Sequence, residues 1–296
     1  MRLLPRATRT KGRLLFKLAS SPTKKNEKQK GKSSDFIFFQ RALLISFVIT
    51  LEKRPVLGIP LACTNYRGAC DWLKQQAEAQ TLTMAAFSST HLVTEANRDL
   101  KYGEILKSFD AVFPDGMPNV WNLNLQGAGL RDRVYGPYLM KQLIAESPRP
   151  LKHYFFGGSE SCLREMKEKL LERHSTLQIV GMFSPPFRRW SEEEEALFAR
   201  QINESGADFI WVALGGIKQE RWIYENRHRY VRGVFLAVGD AFELLAGRRT
   251  FAPALMQRLG GTWIYRLMQE PKRLWKRYFI YNSLYLWYWL RQLCTQ

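Results

Sequence analysis

The sequence predicts an α/β protein in which a parallel β-sheet is covered by helices on both faces. Six short apolar runs, of the kind that form buried strands, are spread between residues 84 and 238. Patterns typical of helices separate these runs, and strands that alternate with helices favour a parallel sheet. After residue 250 the pattern is helical, basic and aromatic, so we expect a helical appendage after the sheet.

The individual elements follow from apolar periodicity and from the polar, glycine and proline residues between them. The predicted strands cover residues 84–87, 111–113, 153–156, 179–183, 209–214 and 234–238. The predicted helices cover residues 66–79, 92–106, 118–125, 136–146, 159–174, 191–205 and 219–230. Ser159 and Ser191 each precede glutamates, which is a typical helix start.

The N-terminal region differs in composition from the rest. Residues 1–34 hold eleven Lys or Arg and one acid, which predicts disorder. The apolar run 36–51 is short for a membrane span and lacks the cleavage site of a signal peptide. We favour a third interpretation, a disordered or non-native extension over 1–50, followed by a catalytic domain over 51–250 and an appendage over 251–296.

The net charge of +18 lies mostly at the two ends of the chain. Residues 251–296 hold seven Lys or Arg, one acid and eleven aromatic residues, a composition typical of an interfacial helix on an anionic membrane. Nucleic acid would use the same charges. However, the body is nearly neutral and the aromatic residues lie in an apolar series, which favours a membrane surface over nucleic acid. An oligomer interface is the remaining alternative.

Cysteine and histidine spacing gives no sign of a metal site. The four cysteines form no CxxC pair, which favours reduced thiols in a cytoplasmic setting. The four histidines show no metal-ligand spacing. We therefore expect neither a protein-built metal site nor a resident cofactor.

Asp115 is the first candidate for chemistry. It follows the apolar run 111–113 and stands between Pro114 and Gly116, which end the strand. Ligands of α/β proteins collect beyond the carboxyl ends of strands, so an acid at this point indicates a cleft. An isolated Asp-Gly pair also suits an ordinary tight turn.

Two strand–glycine–helix segments predict a phosphate-binding cleft. Gly157 and Gly158 follow one strand, whereas Gly215 and Gly216 follow another and precede Lys218. Glycines allow close backbone approach, and the following helix offers free N–H groups to an anion. Neither segment is a Walker A or a GxGxxG motif, which favours a sugar nucleotide. After the last strand, Asp240 is a candidate for a sugar hydroxyl, while Glu243 fits a helix start.

Eight segments between about residue 57 and about residue 281 form a recognisable series, namely 113–118, 133–136, 156–158, 184–188, 214–222, 238–247, 252–253 and 263–274. In order along the chain, these segments resemble the WecG/TagA/CpsF family of glycosyltransferases, glycosyltransferase family 26. The resemblance implies a Rossmann-like domain and inverting, metal-independent transfer of an N-acetylhexosamine-type sugar, such as N-acetylmannosamine, from a UDP donor. The implied acceptor is a polyprenyl-diphosphate-linked sugar used in cell-surface polysaccharide or exopolysaccharide synthesis. The implied location is peripheral, on the cytoplasmic face of the cell membrane.

The resemblance also implies residue roles. Asp115 falls on the family's proposed general base, and Arg133 on an arginine that would steady the departing diphosphate. Arg266 and Arg273 are the best candidates for the appendage arginines that complete the site. The remaining residues predicted to bind substrate are Ser89, Thr90, Gly116, Gly136, Gly157, Gly158, Gly215, Gly216, Lys218, Gln219, Glu220 and Asp240.

Three segments depart from the family pattern. The usual Thr-x-Asn after the first core strand reads Phe87-Ser-Ser89, and either Ser89 or Thr90 would replace the lost hydrogen bond. Ile217 replaces a usual proline, a milder change to turn stiffness, and Thr262 replaces a usual glutamate of the appendage. The change at Ser89 leaves open a weakly active or non-catalytic partner subunit of another glycosyltransferase. Homo-oligomers stay possible as well.

Overall fold

The computed structural model describes residues 49–146 and 151–294, except for the side chain of Arg258. The predictions made for residues 1–48 lie outside this part of the chain. The strands are β1 (Lys53–Val56), β2 (Ile59–Ala62), β3 (Leu82–Ser88), β4 (Ala111–Pro114), β5 (Lys152–Gly157), β6 (Gln178–Phe183), β7 (Phe209–Ala213) and β8 (Gly233–Ala237). Strands β3 to β8 form one parallel six-stranded sheet in the order β4-β3-β8-β7-β5-β6. The predicted α/β class and all six predicted strands are confirmed.

The helices are α1 (Tyr66–Ala79), α2 (Thr90–Arg98), α3 (Leu100–Lys107), α4 (Met117–Leu125), α5 (Gly136–Ala145), α6 (Glu160–Arg173), α7 (Glu192–Ser205), α8 (Lys218–Asn226), α9 (Ala241–Leu245), α10 (Ala254–Arg258), α11 (Thr262–Gln269) and α12 (Pro271–Cys294). The helix predicted over 92–106 is two helices, α2 and α3. Asp99 separates them because its carboxylate accepts the N–H groups of Lys101 (3.0 Å) and Tyr102 (3.1 Å), which caps α3.

Side chains of the sheet alternate between two apolar cores. Phe113, Phe155 and Trp211 point to the face covered by α1, α5, α6 and α9. Phe156 and Phe235 point to the opposite face, covered mainly by α2, α3, α7 and α8. Because both faces are buried, the strands read as continuous apolar runs, which is why the sequence reveals them.

The hairpin β1–β2 was not predicted. Its strands pair antiparallel around Leu57 and Gly58, whose φ values of 48° and 81° suit a tight hairpin turn. Pro55 and Pro60 lower the strand propensity of this segment, so the sequence pattern did not indicate the two strands. Ile59 is buried in the second core, so the hairpin closes one end of that face.

The last three helices return across the carboxyl edge of the sheet. Helix α12 packs along α2, where the Tyr281 hydroxyl donates to Glu95 at 2.9 Å and the Thr90 hydroxyl donates to Asn282 at 3.2 Å. Tyr285 is buried and donates to the carbonyl of Pro118 at 3.1 Å. Within the described ranges, none of the helices combines the length and apolarity needed to span a bilayer.

Candidate active site

Three joined cavities lie along the carboxyl edge of the sheet. We call the first, of about 280 Å³, the aromatic pocket; its walls include Met117, Trp121, Trp263, Tyr278, Leu286 and Trp289. The central pocket, of about 200 Å³, is lined by Asp115, Gly216, Asp240, Arg266 and Arg277. The glycine-turn cleft, of about 1220 Å³, is lined by Gly158, Phe187, Gly215, Lys218 and Asp240. Asp115 is shared by the aromatic and central pockets, and Asp240 by the central pocket and the cleft.

Asp115 lies at the junction because β4 ends directly before it. Its backbone N–H donates to the carbonyl of Ser88 at 3.0 Å, which ties the residue to the neighbouring strand β3. Burial raises the pKa of the Asp115 carboxyl to about 6, while the guanidinium groups of Arg133 and Arg266 and the N–H of Gly136 act in the opposite direction. The carboxylate is therefore predominantly ionised at neutral pH, and its pKa is close to the range expected of a general base.

Arg133 connects this junction to the appendage. Its side chain is buried, with the guanidinium 4.8 Å from the ring centre of Tyr135. Its Nη2 donates to the hydroxyl of Thr262 at 2.8 Å, across 129 residues of sequence. Thr262 begins α11, so the threonine that departs from the family pattern is itself the docking contact.

Replacing Thr262 with valine should loosen α11 and α12, because it leaves a buried guanidinium N–H without its acceptor. We expect a loss of about 2 kcal/mol in the free energy of unfolding and faster amide exchange in both helices. The control is Thr250→Val, which removes an exposed hydroxyl bonded to Tyr265 at 2.7 Å and to Gln269 at 2.9 Å. Because both bonds are exposed, it should cost less than about 0.5 kcal/mol. Unchanged exchange in α11 would show that Arg133 does not anchor the appendage.

Asp240 organises a chain of alternating charges above the sheet. One of its carboxylate oxygens accepts from Arg266 at 2.5 Å and from Arg249 at 3.3 Å. Arg249 also donates to Glu270 at 2.8 Å, and Glu270 accepts from Arg273. This network joins the loop after β8 to helices α11 and α12, and so fixes the appendage arginines at the cavities.

The glycine turns divide into packing and cavity positions. At Gly157, with φ of 118°, an added Cβ would lie 2.3 Å from the carbonyl oxygen of Ala213, so glycine is required for β5 to approach β7. Gly158 and Gly215 instead face the glycine-turn cleft, and Gly215 has open space around its Cα. A diphosphate group would therefore meet exposed backbone at these two turns.

Gln219 and Glu220 hold the backbone of two turns by hydrogen bonds to Gly239 and Ile217. Gln219 accepts the N–H of Gly239 at 3.1 Å and donates to Glu220 at 2.9 Å, while Glu220 accepts the N–H of Ile217 at 2.6 Å. Burial raises the pKa of Glu220 to about 7. Ile217 has φ of 73°, which the fixed ring of proline excludes. The replacement of the usual proline therefore changes the backbone path of this turn, and not only its stiffness as the sequence had indicated.

Most of the residues predicted from sequence line a cavity. The aromatic pocket is lined by six of them: Ser89, Thr90, Asp115, Gly116, Arg133 and Arg266. The central pocket receives Gly216 and Gln219, and the glycine-turn cleft receives Gly158, Gly215, Lys218, Asp240 and Arg273. The other three predicted residues, Gly136, Gly157 and Glu220, lie behind the cavity walls, where Gly136 packs on the Phe87 ring.

The lining residues that were not selected from the sequence include His91 and Arg277. His91 lines both the aromatic and the central pocket, and its ring meets Tyr281 edge-on at 4.2 Å. Burial lowers the pKa of His91 to about 4, so the imidazole is neutral at physiological pH. Arg277 lines the same two pockets, and its Nε has no hydrogen-bond partner in the described part of the chain. The helical spacing from Arg266 and Arg273 was the signal for Arg277.

No three His, Cys, Asp or Glu side chains of residues 49–146 and 151–294 are grouped closely enough to hold a metal ion. The cations that face the central pocket are instead arginines, namely Arg249, Arg266, Arg273 and Arg277. The site therefore combines two half-buried carboxylates, Asp115 and Asp240, with several guanidinium groups and glycine backbone.

Comparison with known proteins identifies what the chain is similar to. The profile of the Glycosyl transferase WecG/TagA/CpsF family matches residues 54–296. A relative from Bacillus subtilis (strain 168), named N-acetylglucosaminyldiphosphoundecaprenol N-acetyl-beta-D-mannosaminyltransferase, is 26% identical over 229 residues, covering 77% of this chain and 87% of the relative. A relative of the same name from Bacillus spizizenii (strain W23) is 29% identical over 184 residues, covering 62% and 69%.

Proposed function

Since the chain belongs to the WecG/TagA/CpsF glycosyltransferase family, we propose that it moves an N-acetylhexosamine-type sugar, such as N-acetylmannosamine, from a UDP donor to a polyprenyl-diphosphate-linked sugar. The names of the two Bacillus relatives support both the transferred sugar and the acceptor class. The observation that carries the proposal is Asp115, a half-buried carboxylate that lines both the aromatic and the central pocket and interacts with the charges of Arg133 and Arg266.

The glycine-turn cleft is the proposed donor site. Exposed backbone at Gly158 and Gly215 suits the approach of a diphosphate, and Lys218 and Arg273 add positive charge to the same cavity. The loop that follows β6 forms the outer wall. The hydroxyl of Ser184 donates to the carbonyl of Gly158 at 2.7 Å, so this loop is tied to the turn that would hold the diphosphate.

Asp115 is the proposed general base. The acceptor hydroxyl oxygen would form a bond to the anomeric carbon while the bond from that carbon to the UDP phosphate oxygen breaks. The hydroxyl proton would pass to Asp115, and the electron pair would leave with UDP. This single displacement inverts the anomeric centre. Arg133 and Arg266 line the aromatic pocket beside Asp115, and Arg266 also lines the central pocket; we assign to them the stabilisation of the charge that develops on UDP.

We propose that the reaction needs no metal ion, because guanidinium groups supply the positive charge that a leaving diphosphate requires. Arg249, Arg266, Arg273 and Arg277 all line the central pocket. Arginine binds phosphate through two parallel N–H bonds, so several arginines present a fixed set of donors.

One assay tests both the identity of the sugar donor and the requirement for a metal ion. Purified protein is assayed with a panel of UDP-sugars and a short polyprenyl-diphosphate-GlcNAc acceptor in detergent, with and without EDTA. We expect transfer from one UDP-N-acetylhexosamine, unchanged by EDTA, and UDP binding measured by calorimetry. Binding of UDP without turnover of any donor would favour a non-catalytic partner subunit, and absence of UDP binding would refute the proposal.

The appendage is proposed to hold the enzyme peripherally on the inner face of the cell membrane. Exposed apolar residues line its outer surface, including Leu255 (68% exposed), Leu259 (72%) and Phe279 (73%). Basic residues of α12, among them Lys272 and Lys276, accompany them. Apolar residues with adjacent positive charge suit an anionic bilayer surface.

Phe279→Glu should therefore reduce co-sedimentation with vesicles that contain anionic lipid by about tenfold, because it adds a negative charge to the proposed contact surface. The matched control is Leu100→Glu, an equally exposed apolar residue (77%) in α3, which should bind vesicles like the wild type. If both variants lost vesicle binding equally, the change in net charge alone would explain the loss, and Phe279 would not be part of a membrane contact.

A further inference from the structure

Asn119 is a fully buried amide in the first turn of α4, the helix that begins directly after Asp115 and Gly116. It lines none of the three cavities. Its side-chain N–H donates to the backbone carbonyl of Ser88 at 2.8 Å. Ser88 ends β3, and the same carbonyl accepts the backbone N–H of Asp115 at 3.0 Å. One carbonyl oxygen therefore joins the buried amide to the proposed base.

The side-chain bond of Asn119 connects two turns at the carboxyl edge of the sheet. After Ser88, the chain enters the turn that carries Ser89, which lines both the aromatic and the central pocket. After β4, it enters the turn that carries Asp115. The backbone N–H of Asn119 donates to the carbonyl of Gly116 at 3.1 Å, within this second turn. Asn119 is therefore bonded to one turn by its backbone and to the end of β3 by its side chain.

Stability alone does not explain an asparagine at this position. Its buried Oδ1 has no hydrogen-bond partner in the described part of the chain, and burial of an unpaired polar atom costs free energy. Leucine has the same branched shape and would leave no such atom unpaired. With leucine at 119, the carbonyl of Ser88 would still accept the N–H of Asp115. The amide therefore needs a reason other than the stability of the fold.

Resting on the proposed function, we infer that Asn119 is a positioning residue for Asp115. It touches no substrate and acts through the backbone of the turn that carries the base. Its bond to the Ser88 carbonyl restricts the motion of this turn relative to β3. The restriction matters for the rate, because a displacement of about 1 Å between reacting groups can slow a reaction by about a hundredfold.

Asn119→Leu should lower kcat by about tenfold and change the KM of both substrates and the affinity for UDP by less than about twofold. The melting temperature should be unchanged or higher, because the variant removes an unpaired buried oxygen. The loss of activity at low pH should stay near pH 6. The pKa of Asp115 is raised by burial and adjusted by the charges of Arg133, Arg266 and Asp240, none of which the variant changes.

The matched control is Asn226→Leu. Asn226 is also buried, and its side-chain N–H likewise donates to a backbone carbonyl, that of Trp222 at 3.2 Å. It ends α8 and lines none of the three cavities, so kcat should stay within about twofold of the wild type. If Asn119→Leu does not fold, Asn119→Ala removes the same bond without the two methyl groups. Assayed well below its melting temperature, it should show the same fall in kcat.

Hydrogen exchange followed by mass spectrometry tests the same inference without any substrate. The amides of Asp115 and Gly116 should exchange about tenfold faster in Asn119→Leu than in the wild type, and at the wild-type rate in Asn226→Leu. If the wild type showed this exchange pattern but transferred no sugar, the proposed function would be refuted and the control of the turn by Asn119 would stand.

Three results would overturn the inference. The first is a kcat of Asn119→Leu within about twofold of the wild type, or unchanged amide exchange in the turn. The second is an equal loss of kcat in Asn226→Leu. The third is a parallel loss of kcat, substrate affinity and melting temperature in Asn119→Leu, which would indicate that Asn119 only supports the fold.

Discussion

Replacing Asp115 with asparagine should lower kcat by about a thousandfold while UDP affinity changes by less than about twofold. Asparagine keeps the size of the side chain but cannot take the proton of the acceptor hydroxyl. The wild type should also lose activity as the pH falls through about 6, because burial holds the pKa of Asp115 near that value and only the carboxylate acts as a base. In Asp115→Asn, this loss of activity at low pH, the acid limb of the pH profile, should disappear.

The control for this prediction is the other aspartate that flanks β4. Asp110 lies at the opposite end of the strand, where its carboxylate accepts the N–H of Met84 at 2.8 Å. Asp110→Asn retains an acceptor oxygen at that position, so we expect kcat within about twofold of the wild type. If Asp115→Asn kept more than about a tenth of wild-type kcat with its UDP affinity intact, the base would have to be another group.

Removing the guanidinium of Arg266 should lower kcat by about a hundredfold and shift the acid limb to higher pH. Arg266 lines both pockets that share Asp115 and donates to Asp240 at 2.5 Å. Its positive charge lowers the pKa of Asp115, so its loss lets burial raise that pKa further. Since the base acts as a carboxylate, a higher pKa means that activity is lost at a higher pH.

Two further variants separate charge from geometry at this position. Arg266→Lys keeps the charge but loses the planar pair of donors, so it should restore the acid limb and leave most of the kcat loss. Lys167→Ala removes one positive charge from α6 at an exposed residue outside the three cavity walls and should resemble the wild type. Melting temperatures are measured alongside. An acid limb that stays near pH 6 in Arg266→Ala would contradict the proposed coupling to Asp115.

The sequence determined the sheet and the position of its functional edge. Strands such as Phe209–Ala213 are buried on both faces and therefore appear as unbroken apolar runs. Asp115, Gly158 and Gly215 were identifiable because each follows such a run directly. In a parallel sheet, residues that follow the strands meet at one edge, so local patterns sufficed to place them together.

Only the tertiary structure decided how the appendage meets that edge. The contacts of Arg133 with Thr262 and of Thr90 with Asn282 join residues 129 and 192 positions apart, and nothing in either local pattern specifies the partner. The same applies to His91 and Arg277, which become pocket residues only when α12 packs along α2. Periodicity indicates which face of a helix or strand is buried. Which other element contacts that face depends on how the side chains of both elements pack together.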